Sequence, residues 1–213
     1  IIRDKNITIT IDGQICPPFS HCTWDSSRSV VHQKLGEVPA VIDINHLIDI
    51  RRYCTTCWVW LSENHNDCPS CGKSGELVNR ERRVKGWLGI QRYLDSTHYG
   101  IDLIRNGRVI NELDKTFFYW VDEDEQEELE YPIDGHEKKG RIVGELEIDF
   151  VPVTHQKDAF EKDENWRAVV RVIRGDGPIR PDIAKRQGFP EPNSPLARLF
   201  SAYRSVKGEG RKN

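Results

Sequence analysis

The sequence predicts an α+β fold, and three observations predict it. Runs of alternating apolar and polar residues, such as NITITI at 6–11 and GELEIDF at 144–150, mark half-buried strands. The segment from Glu164 to Ile173 switches to helical spacing, with Trp166, Val169, Val170 and Ile173 at i, i+3, i+4 and i+7. Ahead of both the second run and the helix lies YCTTCWVWLSENHNDCPSCGKSGELV, whose paired cysteines suit a metal better than a core.

At 213 residues the chain allows one or two small domains and buries enough surface to fold without disulfides. A net charge of -3 with 31% charged residues leaves no nucleic-acid footprint in the totals. No apolar run approaches the roughly 20 residues needed to span a bilayer, and the start, IIRDKNITITIDG, has no basic segment leading into an apolar one. These features place the protein in the cytoplasm, with no membrane partner. The chain contains no methionine and begins inside a strand pattern, which points to a piece of a longer polypeptide.

In chain order, Asn6 to Ile11 reads as a strand and Asp12-Gly13 as a hairpin turn. Cys16, His21, Cys22 and His32 lie close in sequence, but the spacing of the two cysteines fits no common metal template, and buried or inert cysteines are the simpler reading. Val38 to Ile50 suits a strand leading into a short connection. The basic cluster Arg80, Arg82, Arg83 and Lys85 could touch phosphates, although acidic residues balance it across the chain and favour a solvated face.

YGIDLIRNGRVI carries Asn106-Gly107 between apolar positions, a pattern for a tight β-hairpin. TFFYWV is a further apolar run, and the acidic DEDEQEELE after it reads as a solvated loop. A strand then ends near Val153, limited by Pro152. After the turn THQKD, Asp163 caps the helix, and Gly175, Gly177 and Pro178 stop it. A short helical pattern with Leu196, Leu199, Phe200 and Tyr203 precedes a polar, frayed end, VKGEGRKN.

Two motifs carry chemistry. Cys54-x2-Cys57 and Cys68-x2-Cys71 aim two thiolate pairs at one ion, which fits structural zinc, Zn2+, because four sulfurs leave no position for a reacting water. Disulfides and a redox pair are the weaker readings. Binding energy on the order of 10 kcal/mol would fold a segment too small for its own core. Trp58 and Trp60 between the pairs either pack on a neighbouring domain or meet a partner, and His65 reads as a loop residue beside a complete ligand set. The second motif is the turn after the strand, which presents Gln156 and Lys157; such turns carry function.

The order hairpin YGIDLIRNGRVI, strand ending in DFVPVTHQKDAF, and helix near ENWRAVV resembles the second domain of MORC-type members of the GHKL ATPase superfamily, which includes the gyrase B subunit, MutL and histidine kinases. The resemblance covers about 85–179 and implies a transducer of ribosomal-protein-like β-α-β fold, with an inserted four-cysteine ribbon. It further implies that Lys157 reaches the γ-phosphate of ATP, held with Mg2+ by a preceding domain of the same polypeptide, with Gln156 beside it. A mobile ammonium suits a triphosphate and the charge that develops as the phosphoryl group leaves. The superfamily's DxGxG and GxxGxG boxes and a Walker A loop are missing from the sequence, so this chain alone is expected not to hydrolyse ATP.

The expected organisation is 1–50 as strands continuing from an upstream domain, 51–80 as the zinc ribbon, 81–183 as the transducer and 184–213 as a helical tail. The resemblance implies homodimerisation driven by ATP and DNA as client. A different reading is a zinc-ribbon module that binds nucleic acid or protein through Arg80 to Lys85 and the Trp58/Trp60 hairpin.

Overall fold

A computed structural model describes residues 8–17, 19–61, 65–73, 76–121, 126–132 and 139–204. The chain opens with a small hairpin, β1 (Ile9–Ile11) and β2 (Gln14–Cys16), turned through Asp12 and Gly13, both at positive φ as the Asp-Gly pair demands. The first residues of the expected strand, 6 and 7, lie outside the described residues. A second hairpin follows, β3 (Ser29–His32) and β4 (Gly36–Pro39).

The main sheet starts at β5 (Val41–Cys54), continues through the short β6 (Val59–Trp60) and then β7 (Leu77–Asp95), β8 (Gly100–Arg105) and β9 (Arg108–Asp114). After a 3-10 turn at Thr116–Phe118 come the small hairpin β10 (Tyr119–Val121) and β11 (Glu127–Leu129), then β12 (Gly140–Glu147). The order across the sheet is β6-β5-β7-β12-β8-β9. All pairs are antiparallel except β12 with β8. The 19-residue β7 is the spine, paired with β5 along its first part and with β12 along its second. The cysteine segment is therefore the tip of a long β5/β7 hairpin.

One face of this sheet is apolar. Leu88 and Ile90 of β7, Ile142 and Leu146 of β12 and Ile101 and Leu103 of β8 alternate onto it and are all but inaccessible. Helices α1 (Glu164–Arg174) and α3 (Pro195–Tyr203) cover it with Trp166, Val169, Ile173, Leu196, Leu199 and Phe200. Each such side chain contributes roughly 1.5–3 kcal/mol by leaving water. Helix α1 forms as its sequence predicts: the Asp163 carboxylate accepts the Trp166 N–H at 3.0 Å and Gly175 closes the other end at φ 85°. Between them, α2 (Pro181–Arg186) occupies part of the Gly/Pro-rich stretch.

Three differences from the sequence expectations have local causes. The strand before the lysine turn ends at Glu147, not near Val153, because Asp149 turns aside to accept the Asn106 N–H at 2.7 Å and so braces the β8/β9 turn. The helix α1 leads into α2 and α3 rather than into a further strand, so the helices form a layer on one face, and the parallel partner of β12 is the earlier β8. The acidic block is not a solvated loop throughout: Glu127–Leu129 pair as β11, and Glu130 is buried against Arg174. Its members 122–125, like the tail 205–213, lie outside the described residues. No helix among the described residues is long and apolar enough to cross a membrane.

Candidate metal centre and the Lys157 turn

Cys54 is the last residue of β5, and a turn that returns the Trp58 N–H to the Cys54 carbonyl at 2.8 Å brings Cys57 back toward it. Cys68 and Cys71 sit on a second such turn, closed by Gly72 N–H on the Cys68 carbonyl at 2.8 Å. The four sulfurs lie within 4.8 Å of one another, with 3.8 Å between Cys54 and Cys71. A tetrahedron of sulfurs about 2.3 Å from zinc has edges of about 3.8 Å, so this arrangement is compatible with structural zinc. Cys54 and Cys68 are buried, and Leu61, Val59 and Leu77 make a small apolar shell around them.

The surroundings act in opposite directions on two of the thiols. Burial raises the Cys68 thiol, but the backbone N–H groups of Cys71 and Ser70 and the neighbouring thiols outweigh it and bring it down to about 6. The Cys57 thiol is pushed up to about 12, first by its hydrogen bond with Cys71 and then by burial. A cation among the four sulfurs would replace the protons they share. The two tryptophans divide the roles open to them. The Trp60 Nε1–H donates to the Phe150 carbonyl at 3.0 Å and docks the ribbon on the sheet, whereas Trp58, at φ 59°, is 76% exposed. His65 stands outside the ligand quartet, and its carbonyl accepts from Arg52 at 3.1 Å.

The Lys157 turn is closed by its own hydrogen bonds. Val153 bridges Phe160, Thr154 N–H donates to the Ala159 carbonyl at 2.9 Å, Lys157 N–H donates to the Thr154 carbonyl at 2.9 Å, and the Thr154 hydroxyl donates to Asp158 at 2.7 Å. Phe160 anchors the turn by stacking on Trp166 of α1 at 6.2 Å. Gln156 and Lys157 are both exposed at the tip, and Lys157 has φ 60°, a left-handed conformation that a lysine adopts at a cost. The Lys157 ammonium makes no ion pair among the described residues.

The basic cluster is mostly committed elsewhere. Arg82 is buried, grips the Asp49 carboxylate through two nitrogens at 2.7 and 2.5 Å and reaches Asn165 of α1 at 2.9 Å, so its hydrogen bond holds Asp49 below the ordinary carboxylate range. Arg83 binds Glu81 and Asn45, and Arg80 lies over the Tyr53 ring at 4.4 Å. A different surface lies beside α1: a groove of about 720 Å³ lined by Lys115, Lys162, Arg167 and Arg171 and by the acids Glu127 and Asp176, the latter paired with Arg171 at 3.1 Å.

Cys16 and Cys22 are free thiols, and His32 accepts backbone N–H groups of Lys34 and Leu35, so the early Cys/His residues do not gather. His21 instead meets Asp102 and Glu145. With 81 residues between His21 and Asp102, no local spacing signals that meeting. No family model matches this chain, and a search of curated proteins gave no match to it.

Proposed function

We propose that this chain is the transducer portion of a GHKL-type ATPase, with a structural zinc ribbon at the tip of the β5/β7 hairpin. The observation that carries the reading is Lys157: an exposed cation at positive φ on a turn braced by the Val153/Phe160 bridge and by the Phe160 stack on α1. Strain held by surrounding structure at an exposed cation suits a residue placed to meet an anion.

In this reading the partner is an ATP-binding domain of the same polypeptide, where ATP with Mg2+ supplies the reacting phosphate. Lys157 contributes a point charge at the γ-phosphate, and Gln156 a neutral hydrogen-bonding group beside it. Because the turn is pinned to α1 and the sheet, engagement of Lys157 fixes this domain against its partner and favours a closed homodimer. The excess of lysine and arginine over Glu127 and Asp176 in the groove beside α1 is the feature that favours DNA as the client.

The test is ATP turnover by the polypeptide that carries both domains. Lys157→Ala is expected to lower turnover by about 10²-fold or more while nucleotide binding survives, the scale set by loss of one transition-state charge contact. Unchanged turnover overturns the assignment. A second reading, a zinc-ribbon binding module without ATPase role, is favoured by the exposed indole of Trp58. In that case Trp58→Ala abolishes partner binding and Lys157→Ala has no effect on it.

A further inference from the structure

Asp102 of β8 and Glu145 of β12 are direct neighbours across the parallel pair, and Glu145 faces Trp87 of β7 on its other side. The three occupy one row on the face opposite the helices. Like charges directly opposite each other on adjacent strands are unfavourable, and this pair lies close in, with the Asp102 side chain 1% and the Glu145 side chain 23% exposed. The segment that runs beside β7, where Trp24 N–H donates to the Ile90 carbonyl and Arg92 N–H to the Cys22 carbonyl, lays His21 over the two carboxylates.

The His21 ring is fixed edge-on between Phe19 at 5.0 Å and Trp87 at 5.6 Å, which turns Nε2 toward Asp102 Oδ2 at 3.0 Å and Glu145 Oε1 at 3.9 Å. Asp102 is held from behind. A bulge in β9 puts Leu113 at φ 49° and aims its N–H at Asp102 Oδ1 at 2.8 Å, leaving Oδ2 directed at the imidazole. An ordered donor on the far oxygen of a carboxylate is what orients a metal ligand.

We propose that His21, Asp102 and Glu145 form a second metal site, for a divalent ion that prefers oxygen and nitrogen, of the Mn2+ or Zn2+ class. The three ligand atoms lie within 4.8 Å of one another. Donors about 2.1 Å from an ion are separated by about 3.0 Å in an octahedron and about 3.4 Å in a tetrahedron. The His21–Asp102 separation already matches the first, and the part-exposed Glu145 closes the remainder by a small side-chain movement. One nitrogen and two carboxylate oxygens suit such ions and not the thiophilic chemistry of the four-cysteine centre. His21 and Asp102 are nearly closed off from solvent, and Glu145 is part-exposed. It stands independently of the ATP reading.

The experiment is a Mn2+ titration of the chain carrying one equivalent of zinc, enough for the four cysteines alone, with free Mn2+ followed by electron paramagnetic resonance and zinc content measured in parallel. One bound Mn2+ per chain is expected, weakened at least about tenfold in both Glu145→Gln and His21→Ala, with ribbon zinc unchanged. Should His21→Ala fail to fold, the part-exposed Glu145→Gln decides alone. No stoichiometric Mn2+ binding by the wild-type chain at millimolar concentrations, or equal binding by wild type and Glu145→Gln, overturns the proposal and leaves the cluster a structural hydrogen-bonded pair.

Discussion

Lys157 combines an exposed charge with a left-handed backbone, and Glu130 is a carboxylate buried against Arg174. The left-handed backbone at Lys157 costs about 1 kcal/mol that glycine would not. Lys157→Gly is therefore expected to leave stability unchanged or raise it by about that amount in urea unfolding, while removing the amine. A large loss of stability would mean that the side chain serves the fold. Glu130 is the opposite case. Burial pushes its carboxyl up, against the pull of the Ile179 and Arg180 N–H groups and the Arg174 guanidinium, and the same burial lowers Arg174. Both shifts say that desolvation outweighs pairing for these two groups, yet removing one partner strands the other. Glu130→Ala should cost on the order of 3–5 kcal/mol, read from the urea midpoint.

Among the elements, the ribbon and the β7/β12 pair set the shape of the molecule. Chelation of the ribbon metal is expected to release Trp60 from the Phe150 carbonyl and quench the ordered indole signal in near-ultraviolet circular dichroism, while the sheet stays folded. Zinc affinity should fall as pH falls, since the ion needs all four thiolates and protons compete for them. At the centre of the sheet, a Cβ on Gly86 would lie 1.9 Å from the Glu145 carbonyl oxygen at φ 133°. Gly86→Ala should therefore cost at least about 2 kcal/mol and separate β7 from β12, seen as a lower thermal midpoint.

These elements also show how far the sequence could be read. The Asp163 cap, the Asn106-Gly107 turn and the two CxxC pairs were legible because each signal is local: a side chain or a turn type acting within a few residues. The full length of β5 and β7 was not legible. The stretch VNRERRV of β7 is largely polar and owes its strand form to pairing with β5, which its own apolar residues Ile44, Leu47, Ile48 and Ile50 mark as a strand only as far as Ile50. Glu130 looked like one more solvated acid because its partner, Arg174, is supplied by a helix far along the chain. His21 looked like part of a failed cysteine cluster for the same reason.

For the whole molecule, contacts that join the ribbon, the lysine turn, the long hairpin and the helical layer include Trp60 on Phe150, Phe160 on Trp166, Arg51 on Glu164, and Arg82 between Asp49 and Asn165. In the function proposed above, these contacts are the route by which a displacement of the Lys157 turn would reach α1 and the long hairpin. The most direct measurement of that role is the preference of the two-domain polypeptide for ATP over ADP. Wild type should bind ATP more tightly, and Lys157→Ala should shrink that preference by about tenfold, the equivalent of about 1.4 kcal/mol, with Glu161→Ala leaving it intact. An ATP preference that is the same with and without the Lys157 amine would contradict the account.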